Sequence, residues 1–263
     1  MAYLFVALLN FILRRMLSRE DGVVVLCYHS VTSQQRSSFE RQMHHISERS
    51  VDLDRIDEMV DCKSGVAVTF DDAFECLLDN VIPVTRDLQV PIAIFAVTGN
   101  FGQLPAWLAG SGHRDADLPT MTADQMRQLA GEPQCTIGSH TVSHRRLGDL
   151  PAAEVESELL ASKNTIQGLL GVPCYYLALP HGSYRAEVID LALRHGYRRV
   201  LTLDEIAYPS RWLPATVGRF SVSPDMWMIE FALTVRGAYS WLYPWRSWIR
   251  RRRQMFASVR HAG

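Results

Sequence analysis

Short hydrophobic runs recur along the chain, each ending in polar residues and each followed by a stretch with helical spacing. Val23 to Cys27, Gly65 to Phe70, Ile92 to Val97, Cys135 to Ser139, Cys174 to Leu179 and Arg199 to Leu203 read as strands, and Leu213 to Val222 supplies a seventh. Continuous apolar runs such as Val23 to Cys27 are the mark of strands covered on both faces. Between them, helical patterns span Phe39 to Ile46, Asp72 to Leu88, Ala152 to Leu170, Arg185 to His195 and Pro224 to Val235. Another helix opens at Thr122, where a Thr followed three residues later by Gln125 forms a capping box. Gly171 with Pro173, and Gly196, close two of these helices. Strands alternating with helices predict an α/β fold: a single domain with a parallel, barrel-like sheet whose functional residues sit at the strands' carboxyl ends.

Four of those ends carry chemistry. The run Val66-Ala67-Val68-Thr69-Phe70 stops at Asp71-Asp72, two adjacent carboxylates that cannot both be cheaply ionised in one pocket without a cation beside them. Ser139-His140-Thr141-Val142-Ser143-His144 follows another strand, and its two histidines, on a helical turn or a tight loop, can reach one metal. Either stretch alone is common as a turn, a cap or a solvated pair. Together, in this order, they describe an Asp-His-His site with open positions, which suits Zn, Co, Ni or Fe and an acidified bound water. The first strand delivers Tyr28 and His29, and the fifth ends in Pro180-His181-Gly182-Ser183-Tyr184.

Thr69-Phe70-Asp71-Asp72-Ala73 resembles the Thr-Phe-Asp-Asp-Gly motif of polysaccharide deacetylases (the NodB-homology group, carbohydrate esterase family four), and Ser139 to His144 resembles their Ser-His-Thr-x-x-His motif. Leu179 to Tyr184 is similar to a divergent form of their Pro-(Tyr/Phe)-Gly motif, and Cys27-Tyr28-His29-Ser30-Val31 resembles the Tyr-His-Ser-Val of one branch. The resemblance covers residues 23 to 222. It implies a distorted (β/α) barrel of about seven parallel strands. It also implies a hydrolase that removes an N-acetyl group from a sugar in a polysaccharide or lipid-linked glycan precursor. Under it, Asp71 is the base; Asp72, His140 and His144 hold a divalent metal, Zn first and Co or Ni next. Tyr28, Pro180, Gly182 and Tyr184 face substrate or oxyanion. Departures are visible: Ala73 replaces Gly, a small change where φ is negative, and Ala178 stands where many members carry an Arg that orients the base. The late motif that supplies an acid histidine is missing, Val217-Gly218-Arg219-Phe220 occupying that region, so the acid falls to His29 first and His181 second. The other readings are a glycan-binding protein with impaired catalysis, and a deformylase or O-deacetylase on a related saccharide.

Composition adds limits. The 263 residues are 48% hydrophobic with a formal net charge of -1, enough for one substantial core and no nucleic-acid footprint. Five cysteines without metal-finger spacing read as core thiols in a reducing compartment. Residues 1–20 include an apolar stretch, Ala2 to Leu13, with Arg14 and Arg15 after it; it is shorter than the roughly 20 residues of a spanning helix, and its charge order is the reverse of a secretion signal. The domain proper spans 21–235, and the 236–263 tail mixes Trp241, Trp245 and Trp248 with Arg250 to Arg253. These ends predict a cytoplasmic protein, peripheral on the inner face of an anionic membrane, held by residues such as Leu4, Phe5, Leu8 and Phe11.

Overall fold

The computed structural model describes residues 6–7, 22–59, 64–210 and 216–244. Eight strands form one sheet: β1 (Gly22–Tyr28), β2 (Ser64–Phe70), β3 (Ile92–Ala96), β4 (Cys135–Ser139), β5 (Tyr176–Ala178), β6 (Arg199–Leu201), β7 (Thr216–Val217) and β8 (Phe220–Ser221). Their order is β7-β6-β5-β4-β3-β2-β1-β8, and all seven pairings are parallel. Only Gly218 and Arg219 separate β7 from β8. One short segment therefore pairs with β6 through Thr216 and Val217 and with β1 through Phe220 and Ser221, joining the two edges of the sheet. The expected seventh strand is thus two dipeptides, and the architecture is the distorted barrel.

Strand alternation sorts the core into two layers. Val24, Leu26, Val66, Val68, Phe70, Ile92 and Ile94 belong to the main core, shared with the helices. Val23, Val25, Ala67, Ala93, Phe95, Ala178, Leu201 and Val217 form a second cluster, which is the barrel interior. Cys27, Thr69 and Asp71 continue the parity of this inner set toward the strands' carboxyl ends.

The helices are α1 (Arg36–Ile46), α2 (Leu77–Asn80), α3 (Ile82–Asp87), α4 (Ala123–Leu129), α5 (Ala152–Leu170), α6 (Ala186–Arg194) and α7 (Met228–Thr234). The capping box is present: Gln125 N–H donates to Thr122 Oγ1 (3.2 Å) and Thr122 N–H to Gln125 Oε1 (2.8 Å). Gly171, at φ 70°, ends α5 in the left-handed conformation that glycine adopts without penalty. The helix expected over residues 72–88 starts only at Leu77 and is interrupted at Val81. Left-handed backbone at Asp72 and Ala73 forbids an earlier start, and Pro83 lacks the N–H that would join the two pieces.

At the ends of the chain, Ala7 is buried against Leu233 and Ala238, and Leu242 and Tyr243 are buried too, so packing continues past residue 235. The rest of the apolar amino-terminal stretch and the tail from residue 245 lie outside the described residues. Among the described residues, no helix is long and apolar enough to cross a membrane.

The junction between β7 and β8 is tight. A Cβ on Gly218 would stand 2.4 Å from the Asp204 carbonyl oxygen and 2.7 Å from that of Ile206. Backbone cannot move aside as a side-chain tip can, so Gly218→Ala should destabilise the fold by on the order of 2 kcal/mol, lowering Tm by roughly 4–8 °C in thermal unfolding. An unchanged Tm would mean that the join is looser than this.

Candidate active site

The site is built from left-handed backbone at strand ends. Among the described residues, six other than glycine have positive φ, and five of them, Asp72, Ala73, Thr141, His144 and His181, stand here. Such conformations cost free energy and persist only where surroundings hold them. Asp71 still belongs to the ladder, its N–H donating to the Tyr28 carbonyl (2.9 Å); the chain then turns through Asp72 (φ 70°) and Ala73 (φ 54°), which brings both carboxylates to one place. The replacement of Gly at position 73 is therefore not free: φ is positive, and the alanine carries a penalty of roughly 1–2 kcal/mol. The loop from 98 to 121 holds it, Met121 N–H donating to the Ala73 carbonyl (2.8 Å) and Glu75 N–H to that of Pro119 (2.9 Å).

His140 and His144 lie on a loop rather than a helical turn. Glu158 of α5 fixes it, one carboxylate oxygen accepting from the N–H groups of Val142 (2.8 Å) and Ser143 (3.0 Å). Within the loop, Thr141 N–H donates to Ser139 Oγ (3.1 Å) and His144 N–H to Thr141 Oγ1 (3.2 Å). His140 Nδ1 lies 2.9 Å from the Ala178 carbonyl, which can only accept, so Nδ1 carries the hydrogen and Nε2 presents a lone pair to the site. Trp107, from the 98–121 loop, stacks on His144 with centroids 4.6 Å apart, and His181 meets the same ring edge-on at 4.6 Å.

Asp72, His140 and His144 offer ligand atoms to a common point. His144 Nε2 is 3.4 Å and His140 Nε2 3.7 Å from Asp72 Oδ1, which has no hydrogen-bond partner among the described residues although it is buried. Ligands about 2.1 Å from a tetrahedral ion are themselves about 3.4 Å apart, so the three atoms fit a metal such as zinc. Burial presses the His140 imidazole down to about 4 and lowers His144 as well, keeping both neutral as ligands must be. Burial and the charge of Asp71 push the Asp72 carboxyl up, an unfavourable state for a lone carboxylate that a cation relieves.

Asp71 has a different partner, one the sequence reading missed. Arg219, fully buried, donates from Nη1 to Asp71 Oδ1 (2.7 Å) and from Nη2 to Oδ2 (2.8 Å). The same guanidinium donates to Thr69 Oγ1 (3.1 Å) and to the Thr202 carbonyl (3.2 Å), and lies over the Phe95 ring at 5.6 Å. Burial alone would raise the Asp71 carboxyl; Arg219 outweighs it and holds the group well below the usual carboxylate range. An arginine against Asp71, which the resemblance places at 178, stands instead at the β7–β8 junction. A sequence signal did exist: Arg219 interrupts an apolar strand segment, and a charge there needs a buried partner.

The family model described as polysaccharide deacetylase matches residues 59–200. The chain belongs to the polysaccharide deacetylase family. YxkH of Bacillus subtilis (strain 168) is 23% identical to it over 215 residues, covering 77% of this chain and 72% of that one. Among solved structures, IcaB from Ammonifex degensii superposes with a TM-score of 0.68 at 22% identity, covering 82% of this chain and 97% of that one. The Streptococcus pyogenes deacetylase PplD, in complex with acetate, gives 0.65 at 18% identity, covering 83% and 98%. The de-N-acetylase from Aggregatibacter actinomycetemcomitans gives 0.64 at 18%, covering 81% and 99%. At these identities the solved structures show the shared fold.

In this chain, His29 offers a ring nitrogen within 4.8 Å of ligand atoms on Cys27 and Asp71. Its ring is touched by solvent, yet crowding by protein lowers its pKa. His181, with φ 57°, is exposed at the rim. Tyr28, expected to face substrate, does not: it is fully buried, stacked on Phe70 at 5.4 Å, and its hydroxyl donates to Gln42 Oε1 (2.8 Å). Pro180 is buried and Gly182 donates its N–H to the Leu179 carbonyl (3.0 Å), so that amide is committed inside the turn. The Tyr184 hydroxyl donates to Asp204 Oδ2 (2.7 Å).

The ion pair predicts a pH signature. A carboxylate with a depressed folded pKa contributes stability above its unfolded value of about 4 and loses it as the pH falls through the folded value. Arg219→Met strands Asp71 as a buried charge, at a cost of about 3–5 kcal/mol near pH 7 in denaturant unfolding. Burial then raises Asp71, so acid neutralises it, and the gap between parent and variant should narrow as the pH drops from 7 toward about 4. A gap that stays constant would rule the pair out as its source.

Proposed function

We propose that the protein is a metal-dependent de-N-acetylase acting on an N-acetylated sugar within a glycan or its lipid-linked precursor. The observation that carries this reading is the division of labour between adjacent carboxylates: Asp71 kept ionised by Arg219, Asp72 left without a hydrogen-bond donor beside two neutral histidines. When bound at Asp72, His140 and His144, a divalent ion supplies an acidified water and polarises the amide carbonyl. Asp71 Oδ2, 3.8 Å from His140 Nε2, faces that position and accepts the water's proton through lone pairs that Arg219 does not use.

A proton on Asp71 leaves readily, since Arg219 disfavours the neutral acid. His29 lies within 4.8 Å of it by ligand atoms and takes that proton on to the departing amine. A histidine that is neutral at rest thereby serves as acid, with its proton supplied by the base. Trp107, stacked on His144 and half-buried, gives the pocket an apolar wall.

The same reading brings the protein to a membrane surface, on the cytoplasmic side, where its four described cysteines remain thiols. Trp227 and Ile229 at the start of α7 are 68% and 59% exposed, and Leu104 on the 98–121 loop is 55% exposed. Asp225, two residues before Trp227, pairs with Arg114 of that loop (3.0 Å), which ties the two segments together. Large apolar side chains standing in water mark an interaction surface, and the Trp- and Arg-rich composition of the tail suits anionic headgroups.

Incubation of the purified protein with N-acetylated oligosaccharides and Zn, Co or Ni should release acetate. Asp71→Asn should abolish release with metal content unchanged, and His29→Ala should lower turnover by roughly 100-fold with metal content unchanged. No bound metal and no acetate from any glycan would sink the reading; metal loss in His29→Ala would make that residue structural. For the membrane, the full chain should sediment with phosphatidylserine-containing vesicles, and Trp227→Ser with Ile229→Ser should reduce the bound fraction. Equal binding by the variant would remove this surface from the contact.

A further inference from the structure

The deacetylase reading uses His29 and Asp71 but leaves Cys27, which sits with them on the inner face of the barrel mouth. We propose that Cys27, His29 and Asp71 form a second, weaker site for a soft divalent cation, zinc or cadmium, whose occupation switches the enzyme off. The proposal rests on the roles of His29 and Asp71 given above.

Each of the three residues offers one ligand atom, and these atoms all lie within 4.8 Å of one another. Cys27 Sγ is 3.4 Å from Asp71 Oδ2. A sulfur about 2.3 Å and an oxygen about 2.0 Å from one tetrahedral ion are separated by about 3.5 Å, so this pair already has the spacing of shared ligands. Cys27 is fully buried, and the exposed His29 within 4.8 Å of it by ligand atoms gives a hydrated ion its first contact. A thiolate in the set selects zinc or cadmium over magnesium or calcium.

The second site is weaker than the first for a visible reason. Asp72 Oδ1 has no donor, whereas Asp71 is already bonded through both oxygens to Arg219. A cation at Cys27 must share that carboxylate with a guanidinium and displace the thiol proton, which is released to solvent. Once bound, it occupies the lone pairs of both the base and the acid.

The test is a cadmium titration of the full chain loaded with one equivalent of zinc. Cadmium at Asp72, His140 and His144 has no sulfur ligand, so the ultraviolet thiolate-to-cadmium charge-transfer band reports the second site even when the first exchanges its metal. Expected are a further equivalent bound, growth of that band with proton release, and loss of acetate-releasing activity by roughly 100-fold, the worth of acid-base participation. Cys27→Ala and Cys27→Ser should keep the first equivalent and lose both the band and the inhibition. A single equivalent in the parent, or a band or inhibition that persists in both variants, would overturn the proposal. A chain that shows the band without deacetylating any glycan would fail the functional reading and keep this site.

Discussion

The buried pair between Arg219 and Asp71 is the interaction on which the rest of this structure turns. Removing two charges from water is expensive, and a bidentate contact with further bonds to Thr69 and Thr202 is what makes it tolerable. Arg219 sits between the two dipeptides that join the sheet's edges, so its side chain crosses the barrel interior from the closing segment to the end of β2. The join of the sheet's edges and the ionisation of Asp71 consequently depend on one side chain. The pair also separates the carboxylates chemically: with Asp71 satisfied by a guanidinium, Asp72 is left to the histidines.

Around this pair, the backbone is held in conformations it would not choose. Asp72, Ala73, Thr141, His144 and His181 all take positive φ without being glycine. Each strained turn is tied by groups from elsewhere in the chain: the 98–121 loop grips Ala73 and Glu75, and Glu158 of α5 grips the histidine loop. The strain gives convergence, since a straight continuation of β2 would send Asp71 and Asp72 to opposite faces. The placement of these side chains is a property of loops locked by other parts of the chain, the second turn of α5 carrying the glutamate that holds one of them.

Much of this was legible beforehand, for physical reasons. Strands buried on both faces are largely apolar, so β1 to β3 announced themselves, and the Asp-Asp and His-x-x-x-His stretches announced, by residue type and order, the cluster of Asp72, His140 and His144. What could not be read depended on contacts across long separations. Residues 72–76 have helical composition, and only the turn at Asp72 and Ala73 delays the helix to Leu77. Tyr28 beside His29 looked like a site residue, yet strand parity sends it into the outer core against Phe70 and Gln42. Arg219 lies 148 positions from its partner, and an alanine at 178 carries no hint of where a partner for Asp71 would come from.

The relocation has a consequence in time. Asp71, Asp72, His140 and His144 are all synthesised by residue 144, but Arg219 follows 75 positions later, between the last two strands of the described residues. A growing chain that has laid down β1 to β6 holds Asp72, His140 and His144 beside an Asp71 whose charge has no buried partner, and its sheet still has two open edges. Emergence of one short segment removes both defects together, so in this chain the order of translation makes the join of the sheet and the counter-charge of Asp71 arrive as a single step.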